Sequence, residues 1–143
     1  MVEFIVLQTI WIEMETLKFK IRLSTDYQAT APHVVIKINN DVKFDGELTE
    51  KQTIEFDHTL TERNILIIDR QNKPDNEKQD LFIDAISIDG IDLRNLIWHK
   101  SIFAHVDGRE VIGETWLGLN GTWQLKFNGP FWKYMMDWVN GEV

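Results

Sequence analysis

Apolar and polar residues alternate along much of this chain over short spans, the period of half-buried β-strands. Leu17, Phe19, Ile21 and Leu23 alternate with Lys18, Lys20 and Arg22, which predicts an antiparallel strand. Ser24 to Pro32 is polar, ends in proline and reads as a loop. Val34, Ile36 and Ile38 predict another strand, and Asn39-Asn40-Asp41 turns it into Val42-Lys43-Phe44, so 33–45 reads as a hairpin. Ile54 and Phe56 alternate with Thr53, Glu55 and Asp57 in a further short strand. The continuous apolar run Ile65 to Ile68 suits the centre of a sheet. A polar stretch at 69–80, containing Pro74, separates it from a strand at Leu81–Ile88. On that strand simple alternation groups Phe82, Asp84, Ile86 and Ile88 on one face. Asp89-Gly90 turns the chain into Ile91–Leu93. The pattern weakens at 94–112, where Leu96, Ile97, Ile102 and Phe103 fit a strand or a crossing segment, and Asp107-Gly108 reads as a turn.

The C-terminal stretch is aromatic: four of the six tryptophans lie beyond residue 113. Asn120-Gly121 between Trp116-Leu117 and Trp123-Leu125-Phe127 carries the signature of a type I′ hairpin. After Pro130, residues Phe131, Tyr134, Met135 and Trp138 share one face of a short helix. Two turns cannot stand alone, so this helix needs the rest of the domain or another subunit to pack on. Seven or eight strands with no βαβ rhythm predict an all-β fold, an antiparallel sandwich of jelly-roll type with a short C-terminal helix. The expected organisation is a sandwich at 1–112 followed by an aromatic hairpin and helix at 113–143. Trp123 and Phe127 are assigned to the core. Phe131, Trp132, Tyr134 and Trp138 are the candidates for a contact with a partner.

Composition narrows the function classes. The chain has 143 residues, net charge −8 and no cysteine, so neither disulfides nor thiol chemistry contribute. Residues 69–92 hold seven acids against three bases, a local acid excess. No basic footprint for nucleic acid is visible, and no apolar run is long enough to span a membrane. The opening MVEFIVLQTIWIEM is apolar but lacks a basic start and carries Glu3 and Glu13, so a signal peptide is not expected. A cytoplasmic or virion product fits better than a secreted one. His33, His58, His99 and His105 make no recognised metal spacing, and no Gly-Xaa-Ser-Xaa-Gly is present. Glu114 beside Trp116 is the carboxyl best placed for a raised pKa, but a surface strand position is the expected reading of it. The expectation is a non-catalytic protein.

The acidic stretch carries the candidate chemistry. Asp69, Asp75, Asp80 and Asp84 are hard oxygen donors of the kind calcium takes, with Asn72 or Asn76 adding amide oxygen. Their spacing does not match an EF-hand. A solvated loop with one hydrogen-bonded aspartate is the alternative. Asn64-Ile65-Leu66-Ile67, the polar loop, then Gln79-Asp80-Leu81-Phe82-Ile83-Asp84-Ala85-Ile86 with Asp89-Gly90 resembles the small calcium-dependent xylan-binding modules, over about residues 15–92. That resemblance implies a β-sandwich that holds sugar through calcium at loops near this run. It makes Asp80 and Asp84 the metal carboxylates and puts Phe82 where the family has Tyr. It also marks a departure: the family's Asn-Asp pair is Asn72-Lys73 here, and a lysine in a cation loop argues against the same kind of site. Similar modules occur in phage particles, where they decorate tails, fibres or necks. Two readings stay open. One is a carbohydrate-binding-like module for a polysaccharide or glycan, using Tyr27, Phe82 and Trp116 as aromatic contacts, as a phage virion or tail-associated protein. The other is a structural module that self-associates or binds another virion protein without sugar.

Overall fold

The computed structural model describes residues 15–141. The apolar run at 1–12 lies outside them. In chain order the described residues form β1 (Thr16–Tyr27), β2 (His33–Ile38), β3 (Asp41–Glu47), β4 (Gln52–Thr59), β5 (Arg63–Gln71), β6 (Gln79–Ile88) and β7 (Ile91–Asp92). Then follow α1 (Arg94–Lys100), β8 (Ile102–His105), β9 (Glu110–Ile112), β10 (Trp116–Leu117), β11 (Gly121–Asn128) and α2 (Phe131–Val139). All pairings among them are antiparallel. One sheet has the order β10-β6-β1-β4 with β7 added on β6, the other β3-β2-β5-β11-β8-β9.

The expected all-β sandwich is therefore the fold. Alternation sends Leu17, Phe19, Ile21 and Leu23 of β1 inward and its lysines and arginine outward. They meet Ile36, Leu66, Ile68, Trp123 and Leu125 of the six-stranded sheet in one continuous core. Trp123 and Phe127 are buried there, as the sequence predicts. The run at Ile65–Ile68 is central, between β2 and β11.

Three local readings change. Residues 94–100 form a helix, because Leu93, Leu96 and Ile97 fall at i, i+3 and i+4 and are all buried. Asp92 Oδ1 accepts the Arg94 amide at 2.7 Å and starts that helix. Asn120-Gly121 is not a hairpin turn. Leu117 pairs with Leu81 in one sheet, whereas Gly121 pairs with Arg70 and His105 in the other, so the segment between them crosses the sandwich. The Asn120 side chain is engaged by Arg70 and Lys73, and a Cβ at Gly121 would run into the Ala104 carbonyl. Residues 116–128 thus supply strands to both sheets.

The third change is a bulge. Leu23 pairs with Ile83 but Arg22 pairs with Ala85, which leaves Asp84 without a partner on β1. The extra residue shifts the phase of β6. Ile83, Ile86 and Ile88 all point inward, while Phe82, Asp84 and Ser87 stand on the outer side. Asp84 does not share a face with Ile86 and Ile88, and an aspartate in an apolar strand stays in water.

Burial also creates a titrating group. His58 on β4 is buried with Nδ1 3.7 Å from Asp41 Oδ2. Desolvation, reinforced by Lys43 and opposed by Asp41, lowers its pKa below the ordinary 6.5. Between that lowered value and 6.5 the unfolded chain binds a proton that the native protein does not, so stability falls as pH drops below 6.5. Urea unfolding between pH 7 and 5 should show this loss, and His58→Gln should flatten it; a slope unchanged in the variant would remove His58 as its cause.

Candidate functional site

The outer side of the five-stranded sheet, at its β6–β10 edge, gathers four of the sequence candidates, Phe82, Trp116, Asp80 and Asp84. Phe82 on β6 pairs with Ser24 of β1 and with Trp116 of β10, which sets the three side chains in one row. Trp116 is 55 % exposed, yet it is fixed in place. Its amide donates to Glu114 Oε1 and its indole Nε1 to Asp80 Oδ1, each at 3.0 Å. Gly118 lies under the ring, where a Cβ would press on Nε1 at 3.2 Å. Glu114 is thereby assigned a local structural task, bonding the backbone of the tryptophan two residues on.

The polar surroundings are acidic and ordered. Asp80 is largely covered, with Lys78 Nζ 3.8 Å from its Oδ2 and 2.9 Å from Asp26 Oδ2. The hydrogen bond to Asp26 raises the Lys78 pKa. Asp84 receives the Ser24 hydroxyl at 3.0 Å. Beside it opens a cleft of about 250 Å³, lined in part by Asp84, Thr115 and the exposed Trp98 of α1. A flat, fixed, exposed ring next to carboxylates and a hydroxyl offers one apolar platform and several hydrogen-bonding groups to a ligand.

The remaining candidates lie elsewhere. Tyr27 pairs with Gln79, one residue out of phase with Asp26 and Asp80, so it points away from Trp116; its hydroxyl donates to the Thr49 carbonyl. Asp69 stands on the outer side of the other sheet, accepting from Thr122 and Gln71. Asp75 is exposed in the loop at 72–78. The four aspartates proposed as one calcium set therefore do not converge, and among the described residues no three His, Cys, Asp or Glu side chains gather as a metal cluster.

Side-chain cations hold the oxygens at this loop. The fully buried Arg70 donates from Nε to the Leu117 carbonyl at 2.9 Å, from one terminal nitrogen to Asn120 Oδ1 at 3.1 Å and from the other to the Gln79 carbonyl. Burial pushes its pKa down to about 10 despite the opposing field of Asp80. The Lys73 ammonium donates to the Pro74 and Glu77 carbonyls at 3.2 and 3.1 Å. Glu77 accepts the Thr30 and Ala29 amides, which hold its carboxyl below the ordinary range. Gln79 Oε1 is the one buried acceptor here with no partner. Calcium takes six to eight oxygens, so a lone amide oxygen among engaged carbonyls does not fit it.

The apolar candidates of α2 divide. Phe131 and Tyr134 are buried in the domain's own core, where both contact the Phe127 ring. That burial takes them out of a partner contact. Trp138 is half-buried with Lys100 Nζ 5.6 Å from its ring centre. Trp132 is 60 % exposed, and with Met136, Val139 and Ile91 it forms an open apolar face. Trp98 was not among the sequence candidates; its signal was a tryptophan one step from the buried pair Leu96-Ile97, visible only once 94–100 is a helix.

No family model and no curated protein matches the chain. Solved structures do. The selenomethionine form of vCBM60, described with two families of calcium-dependent carbohydrate-binding modules linked by circular permutation, aligns with a TM-score of 0.54 at 15% identity, over 79% of this chain and 91% of that one. vCBM60 in complex with galactobiose aligns with a TM-score of 0.50 at 15% identity, over 78% and 98%. The chain has the fold of a carbohydrate-binding module.

The ammonium of Lys73 is expected to hold the 72–78 loop without metal. In differential scanning calorimetry, calcium and chelator should leave the melting midpoint unchanged, and Lys73→Met should lower stability by about 1–2 kcal/mol. A midpoint that rises with calcium would show a metal site in this chain.

Proposed function

We propose that the protein is a non-catalytic carbohydrate-binding module whose ligand stacks on Trp116 and Phe82 and is hydrogen-bonded by Asp84 and Ser24. The observation that carries this reading is the exposed Trp116 ring, held by Asp80, Glu114 and Gly118. An exposed indole ordinarily loses conformational freedom on binding; here that loss is already taken in folding. The fold shared with vCBM60, a protein solved with galactobiose, supports the choice of ligand class. The acidic surroundings supply acceptors for sugar hydroxyls. The calcium of the relatives has no part in the proposed contacts, because the donor set of this chain does not fit it.

Isothermal titration with galactobiose and xylobiose tests the reading. Binding should appear in wild type and weaken about tenfold or more in Trp116→Ala, the loss expected of a central aromatic anchor. Trp116→Phe should retain part of it. Binding indifferent to both changes would place the ligand elsewhere, and no binding of any neutral glycan would reject the function.

A second reading rests on the open face of α2. Trp132, Met136 and Val139 are mostly exposed and line, with Ile91, an almost wholly apolar groove of about 410 Å³. A second copy of this chain would cover it by matching like against like around a two-fold axis. Light scattering should then give a dimer that Trp132→Glu converts to monomer; a wild-type monomer at high concentration rejects self-association through this face.

A further inference from the structure

Ligand binding at Trp116 leaves a second exposed tryptophan unexplained. Trp98 is 68 % exposed on α1 and forms a wall of the cleft of about 250 Å³ beside Asp84. Ala85, half-buried, and Thr115, exposed, contribute to its lining, and Ile83, Ile86 and Ile97 lie buried beneath it. Asp84, Asp92 and Arg94 bring its charges. Asp92 is tied to Arg94 twice, through the amide at 2.7 Å and the guanidinium at 3.8 Å. A ring wall, an apolar lining and a few polar groups are the parts of a small ligand site.

Covalent and packing links join this cleft to the Trp116 platform. Asp84 is the bulge residue two positions beyond Phe82, a strand rise of about 7 Å. Thr115, which also lines the cleft, immediately precedes Trp116, and its carbonyl accepts the Ile83 amide at 2.9 Å. The C-terminal end of α1 is locked to the same segment. Gly113 donates to the Ser101 carbonyl at 3.0 Å. It sits at φ +78°, so close to the Trp98 carbonyl that a Cβ would collide with it. The backbones carrying Trp98 and Trp116 are thus braced together.

Resting on the glycan-binding reading above, we infer that the Trp98 cleft is a second subsite and that the ligand is an uncharged polysaccharide chain spanning both tryptophans. The C–H face of a sugar ring meets the Trp98 ring and the part-exposed Ala85. Its hydroxyls donate to Asp84 and Asp92 and accept from Arg94. The field disfavours acidic chains: Asp26, Asp80, Asp84 and Asp92 stand along this edge, with Lys78 and Arg94 as their ion-pair partners and Arg22 on the neighbouring strand, in a chain of net charge −8.

Calorimetry with xylo- and galacto-oligosaccharides of two and six rings tests the inference, using wild type, Trp98→Ala, Arg94→Ala and Trp116→Ala. Wild type should bind six rings about tenfold tighter than two. Trp98→Ala should erase that gain and leave two-ring binding unchanged, Arg94→Ala should reduce the gain, and Trp116→Ala should weaken both lengths. A six-ring oligogalacturonate should not bind. Both Trp98 and Arg94 are exposed side chains, and unchanged melting midpoints would confirm that their variants fold. If Trp98→Ala and Arg94→Ala keep the full length gain while Trp116→Ala weakens binding, the second subsite is overturned and the glycan function stands. If wild type binds neither length, both fall together.

Discussion

The buried guanidinium of Arg70 is the constraint on which the β6–β10 edge depends. Arg70 belongs to β5 in the six-stranded sheet, yet its donors reach the Leu117 carbonyl on β10 and the Gln79 carbonyl on β6, both in the opposite sheet. A third contact reaches Asn120 in the crossing between them. An isolated cation with no accessible surface would be strongly unfavourable, and it persists here because a rigid fork of donors meets fixed acceptors. Removing one partner would leave a buried charge or orphaned carbonyls, so the cluster acts as a unit. Its position matters for function. Leu117 follows Trp116 directly, so the bond that secures β10 also secures the exposed indole.

That arrangement bears on how a carbohydrate-module fold manages with this loop. A divalent ion gathers oxygens by charge and leaves when the ions in solution change. Arg70 and Lys73 gather carbonyls by charge too, but both are tethered to the chain. The loop 72–78 is drawn over Lys73 and tied to residues 28–30: the Lys78 amide donates to the Gln28 side chain, the Glu77 carboxylate accepts the Ala29 amide, and the adjoining Gln79 side chain donates to the Thr30 carbonyl. Order in this region is therefore part of folding rather than a separate binding equilibrium. Fixed acceptors and a fixed indole reduce the entropy that a ligand has to overcome.

How much of this could be read from the residues depends on distance along the chain. The strands at Leu17–Leu23 and Val34–Ile38 were legible because a two-residue period is a local property, and Ile65–Ile68 because a short unbroken apolar run is one too. So was the Asp89-Gly90 turn, where Asp89 and Gly90 adopt φ of 48° and 79°. What failed needed a partner from elsewhere. Asn120-Gly121 has hairpin chemistry, but Arg70, fifty residues earlier, claims the asparagine side chain. Asp84 looked misplaced among isoleucines until its missing partner on β1 revealed a bulge. Asp80 was legible as important, and in the fold its Oδ1 accepts the Trp116 indole N–H. Asp69 joined the metal candidates by proximity in sequence, although β5 and β6 belong to opposite sheets whose outer sides face opposite ways. Trp98 was invisible for a similar reason: a seven-residue helix gives too few periods to declare itself.

The two open surfaces meet at β7, and this bears on what each could do. Ile91 lines the apolar groove of α2, while its neighbour Asp92 lines the Trp98 cleft. Successive residues of a strand point to opposite sides, so one short strand divides the two regions without mixing their chemistry. A ligand in the cleft and a partner on α2 would occupy adjacent territory, and each is built of different material: aromatic rings among carboxylates on one side, methionine and valine on the other. A platform of one or two rings makes a limited contact, and its affinity is bounded by the few atoms that it buries. A polysaccharide repeats the same unit along its length. Association of copies through the apolar face would place several such platforms on one strand of ligand, and effective concentration would supply what each site alone does not. The apolar groove and the proposed sugar-binding edge would then serve one purpose, because weak contacts at the rings become useful only when something holds the rings together.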